Sequence, residues 1–217
     1  EGAFQLATVW HVFPLGTVHL AVVDPGVGTT RRAVAVLADG QFFVLPDNGL
    51  VTFILDEVRS VQTWSLDRSE FHRHPVSATF HGRDIFGPVA AALASGTPPD
   101  QIGTPVDPAT LERLPVPALE LAQEAVRAPI VSIDHFGNAR TLIRPDHLPA
   151  APEHLVVTCG SLRIRGISRT FADVAPGEPV AYFGSHGGLE IAVRNGNAAR
   201  AWQLQRGMLV EVRRSAL

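Results

Sequence analysis

A chain of 217 residues, 46% of them hydrophobic and 18% charged, is long enough to bury a substantial core and belongs with compact folded proteins rather than disordered ones. Its net charge of −3 and pI near 6.3 leave no basic footprint for nucleic acid, and no apolar run reaches the length of a membrane-spanning helix, so neither partner is expected. Cys159 is the sole cysteine, which excludes an internal disulfide framework, and all 18 basic residues are arginine, which excludes Schiff-base, pyridoxal phosphate and P-loop chemistry because each needs a lysine amine.

The chain opens on "EGAFQLATVW", which reads as the tail of a helix and lacks the charged-then-apolar order of a secretory signal, so the cytoplasm is the default compartment. Met208 is the only methionine, so residue 1 is not a translation start. "GTVHLAVVD" and "RAVAVLADGQFFVLPDNG" read as short buried strands, with Asp39-Gly40 as a hairpin turn between two apolar runs. Residues 84–95 place Ile85, Phe86, Val89, Ala90 and Leu93 at helical spacing, with Asp84 as an N-cap and Gly96 as a stop. The proline-rich stretch from about 97 to 117 suits a connection between domains. Beyond about residue 127 the segments become short, alternating and turn-bounded, as in a small β-barrel or sandwich. The expected architecture is an α/β domain over 1–117 followed by an all-β, barrel-like domain over 118–217.

Four glycine-bracketed polar segments stand out. In "VVDPGVGTTRR" an acid, Asp24, ends a strand ahead of a glycine-rich turn and paired arginines; taken alone, turn capping is the simpler account, and the third glycine of a dinucleotide fingerprint is missing. "ATFHGRDIFGP" gathers Thr79, His81, Arg83 and Asp84 before a helix start, where free backbone N–H groups suit anions. His72 and His74 lie at alternate positions, but without carboxylates at metal-binding spacing a metal is not expected. "SIDHFGNARTLI" carries Asp134, Phe136 and Asn138 around Gly137, and "FGSHGGLEIAVRNGNAA" carries Ser185, Glu190 and Asn195 around a glycine pair. No G-x-S-x-G elbow is present, which argues against a serine nucleophile.

Taken in order, "GTVHLAVVDPGVGT", "LPDNGL", "TFHGRDIFGPVAA", "IDHFGN" and "GSHGGLEIAVRNGNAA" make the chain resemble the S-adenosyl-L-methionine (SAM) hydroxide adenosyltransferases, relatives of the fluorinase and chlorinase. The resemblance implies a homotrimer whose sites lie between the N-terminal domain of one subunit and the C-terminal domain of the next. It implies hydrolysis of SAM, as substrate and without cofactor or metal, to adenosine and L-methionine by hydroxide attack at the ribose C5′. The hydrolase branch carries an Asp–Arg–His set, which falls on Asp24, Arg31 and His81. By the same resemblance Thr79 lies near the ribose or nucleophile, Asp134, Asn138 and Ser185 near the methionine portion, Phe171 on the adenine face, and Glu190 and Asn195 near its edge. Gly82 stands where the fluorinase has a halide-contacting serine, although the chlorinase has glycine there too. His186 replaces a carboxylate-binding arginine and Arg140 an aromatic residue. The family also has a strand and an acid-bearing loop ahead of "EGA", so the first domain is expected to lack its first strand in the sequence given. A SAM-dependent halogenase and a non-catalytic SAM or adenosine binder remain the alternatives.

Overall fold

The computed structural model describes residues 1–116 and 118–215; Pro117, at the expected end of the first domain, lies outside the described residues, as do Ala216 and Leu217. Among the described residues the fold is mixed α/β with three sheets and short helices, divided into two compact units, Glu1–Pro115 and Val116–Leu217. No helix among the described residues is long and apolar enough to cross a membrane.

In the first unit, strands β1 (Val18–Leu20), β2 (Ala33–Ala38), β3 (Gln41–Pro46), β4 (Val61–Ser65) and β5 (Thr104–Val106) form one sheet in the order β1-β3-β2-β4-β5. β1 runs parallel to β3, and every other pairing is antiparallel. The expected hairpin is present: Ala38 faces Gln41, and Asp39 and Gly40 both take positive φ (42° and 83°), the turn that matches strand twist. Side chains alternate across a strand, so β2 sends Val34, Val36 and Ala38 to one face and Ala35 to the other. Helices α1 (Gly2–Val9) and α2 (Thr52–Leu55) cover the first face, and α3 (Gly87–Ala94) and α4 (Pro99–Ile102) the second. With both faces buried, the strands read as continuous apolar runs rather than alternating ones. Fully buried Phe43 alone contributes about 2–3 kcal/mol by removal from water.

Two readings of this unit need correction. Asp84 does not cap a helix: a single π turn, Gly82–Phe86, precedes α3, and the buried Asp84 carboxylate turns back toward Ser77 and Arg83. The proline-rich stretch from 97 is no free connection, because β5 pairs with β4, Trp64 Nε1 donates to Asp100 (2.7 Å), and Ile102 and Leu111 are core residues.

The second unit contains β6 (Glu120–Ala122), β7 (Ala125–Pro129), β8 (Ser132–Ile133), β9 (Ala139–Arg140), β10 (Leu155–Cys159), β11 (Leu162–Arg165), β12 (Pro179–Phe183), β13 (Leu189–Val193), α5 (Ala198–Ala201) and β14 (Leu209–Arg214). They build a five-stranded sheet, β11-β10-β14-β7-β6, and a four-stranded sheet, β12-β13-β9-β8, both antiparallel. One core takes Val126, Val157 and Val212 from the first and Leu189 and Ile191 from the second.

Gly103 reports on how tightly the proline-rich stretch is bound in. A Cβ there would lie 2.0 Å from the Ser65 carbonyl oxygen, a backbone atom that cannot swing away. Gly103→Ala is expected to cost about 1–3 kcal/mol and to lower Tm by about 3–10 °C in thermal unfolding; an unchanged Tm would mean that β4 and β5 are not joined at this point.

Candidate active site

Asp24 lies just beyond β1, where Asn48 Nδ2 holds the Val23 carbonyl at 2.9 Å. The chain then turns tightly, with the N–H of Val27 on the Asp24 carbonyl (3.2 Å) and the N–H and hydroxyl of Thr29 on the Gly26 carbonyl (3.1 and 2.7 Å). Gly28 takes φ +81°, and a Cβ there would sit 2.9 Å from the Ala78 carbonyl oxygen, so glycine lets this turn lie against the segment that leads to His81. The turn carries Arg31 back over Asp24. Arg31 Nε reaches both carboxylate oxygens at 3.0 Å, and Nη2 closes on Oδ2. The side chains are only 10% and 5% exposed, so removing either partner alone strands a buried charge, at a cost of about 3–5 kcal/mol.

The third member of the set arrives from the other loop. Arg31 Nη2 lies 2.8 Å from His81 Nδ1, and its guanidinium lies 5.2 Å from the centre of the buried Phe86 ring. A guanidinium only donates, so Nδ1 is the acceptor, and in the neutral ring the proton sits on Nε2. Asp24, Arg31 and His81 are thus in one continuous contact. Thr79, two residues before His81, is exposed, with its N–H toward Ser77 Oγ (3.3 Å). Gly82 follows directly, and the nearest neighbour of a Cβ there would be Val22, at 3.5 Å.

In the second unit a cavity of about 880 Å³ is lined by all six candidates from that half of the chain: Asp134, Asn138, Phe171, Ser185, Glu190 and Asn195. Asp134 organises the turn between β8 and β9. Its Oδ1 accepts the N–H groups of Phe136 and Asn138 (both 2.9 Å), and its Oδ2 accepts from Asn138 Nδ2 (2.9 Å) and Arg140 Nη2 (3.3 Å). Glu190 sits mid-strand, facing Tyr182 on one neighbour and Arg140 on the other. Tyr182 donates its hydroxyl to Oε2, while His186 Nδ1 (3.0 Å) and Arg140 Nε (3.2 Å) approach Oε1. Burial pushes the Glu190 carboxyl up, but the bonds from His186 and Tyr182 and the Arg140 charge outweigh it and leave it below its ordinary value. Burial, then the carboxylate beside it, holds the Tyr182 hydroxyl far above the usual phenol range. Phe171 stacks obliquely on Tyr182, ring centres 4.5 Å apart, and Asn195 takes a positive φ of 55° at the turn after β13.

The glycines of "FGSHGG" are explained by close approach. A Cβ on Gly184 would fall 2.2 Å from Glu190 Oε1, and one on Gly188 2.4 Å from His186 Nε2. Tyr182 and Phe86 are the site residues that sequence reasoning missed. Tyr182 is legible only as one apolar position in "PVAYF", and Phe86 only as a core position of a helix. Among the described residues no group of three or more His, Cys, Asp or Glu is placed to hold a metal ion.

Comparison with known proteins follows the same two-part division. Residues 1–103 match the family model described as SAM hydroxide adenosyltransferase N-terminal domain, and residues 128–211 match that of the C-terminal domain. The chain is 42% identical to the (R)-S-adenosyl-L-methionine hydrolase of Salinispora tropica over 201 residues, 92% of this chain and 75% of that protein. It is 43% identical over 220 residues to the protein of the same name from Thermus thermophilus, covering 98% and 82% of the two chains. A fluorinase from Actinopolyspora mzabensis is 30% identical over 250 residues, covering 99% and 83%. Among solved structures, an uncharacterized conserved protein from Thermotoga maritima superposes with a TM-score of 0.88 at 33% identity, covering 98% of this chain and 83% of that one.

The Glu190 network makes a pH prediction. A carboxyl held lower in the folded than in the unfolded chain adds stability above its ordinary value of 4.5, and that stability is lost as pH falls below it. Glu190→Gln should therefore lower stability at neutral pH by about 1–3 kcal/mol and flatten the loss between neutral and acid pH in denaturant titrations. Equal acid sensitivity in both proteins would show that Glu190 ionises alike in the folded and unfolded states.

Proposed function

Because this chain belongs to the SAM hydroxide adenosyltransferase family, we propose that it hydrolyses SAM to adenosine and L-methionine. The observation that carries the reading is the continuous Asp24–Arg31–His81 contact. Oxygen bonds to the ribose C5′ as the C5′–S bond breaks, and the bonding pair leaves on sulfur as a neutral thioether. The sulfonium departs without an acid, so the reading calls for no metal or cofactor. The demand falls on the nucleophile, since water has a pKa of about 15.7.

The geometry suits holding a hydroxide more than making one by a single base. Arg31 always donates, its charge is balanced by Asp24, and His81 Nδ1 is occupied by Arg31, which leaves the Nε2 proton to point at the oxygen. Fixing both donors before the substrate arrives avoids reorganisation during the reaction, and the water proton passes to solvent. The cavity of the second unit would hold the rest of SAM: Phe171 against adenine, Glu190 and Asn195 at its edge, and Asp134, Asn138 and Ser185 around the amino acid, with Thr79 and Gly82 beside the ribose and nucleophile. The nucleophile set and the cavity fall in different units, as required by the homotrimer that the family resemblance implies, in which each site takes the α/β half of one subunit and the barrel-like half of the next. A cytoplasmic location fits a substrate made and used there.

Incubating SAM with the protein in heavy-oxygen water, with chloride in a parallel sample, tests the reaction by mass spectrometry. Adenosine labelled at its 5′ hydroxyl, together with methionine, is the expected product. Chlorodeoxyadenosine would place the chain with the halogenases, and bound but unconverted SAM would make it a binder. His81→Ala should cut kcat by about 10²–10³-fold and leave SAM binding nearly intact. Phe171→Ala should instead weaken binding by about 1–3 kcal/mol through lost stacking, read by calorimetry.

A further inference from the structure

Among the described residues of the first unit, the Asp84 side chain is a buried charge with no exposure at all, and neither the reaction nor the sheet accounts for it. A carboxylate removed from water is costly unless paired and hydrogen-bonded, and an apolar side chain of similar size would serve stability at least as well. The geometry around it is specific. Arg83 binds the two oxygens through Nε and Nη2, at 2.7 and 2.9 Å. The Ser77 N–H donates to the carboxylate at 2.9 Å, and Arg73 Nη1 stands 3.8 Å away. The Asp84 carbonyl also accepts the Arg73 N–H at 2.8 Å. Backbone and side chain of one residue therefore fasten residues 73 and 77 to the π turn, and the loop so closed contains His81.

The π turn has a geometric consequence for that loop. In an α-helix two residues five apart lie about 140° from each other around the axis. The i→i+5 bonding of a π turn, seen here in the Gly87 N–H on the Gly82 carbonyl, brings such residues back toward one side. His81 and Phe86 are five apart, and both touch the Arg31 guanidinium, one through Nδ1 at 2.8 Å and the other through its ring at 5.2 Å. A regular α-helix from residue 81 would carry one of them away. π turns are poorer in energy than α turns and need tertiary support, which Asp84 supplies from inside the turn. Arg83 adds to it, with its guanidinium 5.1 Å from the Phe80 ring centre.

We propose that Asp84 is a positioning residue: by fastening residues 73–77 to the π turn Gly82–Phe86, it sets His81 in register with Arg31. The inference rests on the proposed reaction for its effect on rate, but not for its effect on His81. In the full chain, nitrogen-15 imidazole spectra of His81, assigned with His81→Gln, should show the tautomer protonated on Nε2 in the parent protein. Asp84→Asn keeps the volume and removes the charge, and it should convert His81 to a tautomer mixture. Arg83→Gln changes a half-exposed partner, leaves the Ser77 N–H and Arg73 on the carboxylate, and should give the same change to a smaller degree. In SAM turnover, both variants should lower kcat, by about 10–100-fold for Asp84→Asn, with KM within about twofold. Unchanged His81 signals in the folded variants would overturn the proposal, and if Asp84→Asn does not fold, Arg83→Gln decides alone by the same signals. A parent protein that converts no SAM would sink the reaction, whereas the imidazole spectra would still decide the role of Asp84.

Discussion

Carboxylates withdrawn from water, each matched by arginine, are what the rest of this structure is arranged around. Asp24, Asp47, Asp84 and Glu190 have side chains no more than 5% exposed, and each is met by a guanidinium: Arg31, Arg32, Arg83 and Arg140. A chain without lysine has no other permanent side-chain cation to offer. The substitution is not neutral. A guanidinium is planar and forked, so it binds a carboxylate through two nitrogens and fixes orientation as well as charge. Arg31 on Asp24 and Arg83 on Asp84 both use that fork, and the two pairs flank His81 along the chain and hold the loops on either side of it.

Close backbone approach is the second constraint, and it follows from the first. Loops that carry paired charges must come near one another, and glycine is what lets them. Gly28 admits the Ala78 carbonyl beside the Asp24–Arg31 turn, and Gly184 admits the Glu190 carboxylate in the second unit. In both places the missing Cβ leaves space for a polar oxygen rather than for flexibility. The glycine-bracketed polar segments that stand out in the sequence are therefore packing devices as well as turns.

The two units use their polar groups differently. In the first, Asp24, Arg31 and His81 form a short chain of contacts with fixed donor directions. In the second, Glu190, Tyr182 and Arg140 meet in a mesh across neighbouring strands at a cavity, His186 joins them from the loop before β13, and Asp134 repeats the pattern on its own loop. The chain of donors suits stabilising an oxygen of growing or standing charge. The mesh suits shaping a cleft for a large polar ligand, because cross-strand register holds its members.

Much of this was legible along the chain. The Asp39-Gly40 hairpin followed from turn chemistry, the buried strands from apolar runs, and the family from five motifs in order. Local conformations and residue identities are written in the chain: where φ must be positive, where a strand is buried on both faces, which acids and bases stand in glycine-rich turns. The tertiary structure alone decided which of them meet. Asp84 reads locally as a helix cap and becomes a buried clamp because the helix opens on a π turn, which depends on Arg83, Ser77 and Arg73 being brought to it. Tyr182 reads as core and becomes a partner of Glu190 through strand register. The stretch from about 97 to 117 reads as a connection, yet Thr104–Val106 within it becomes the edge of a sheet by pairing with β4. Each turns on long-range pairing, which depends on the sum of contacts across the unit and leaves no mark in any short window of sequence.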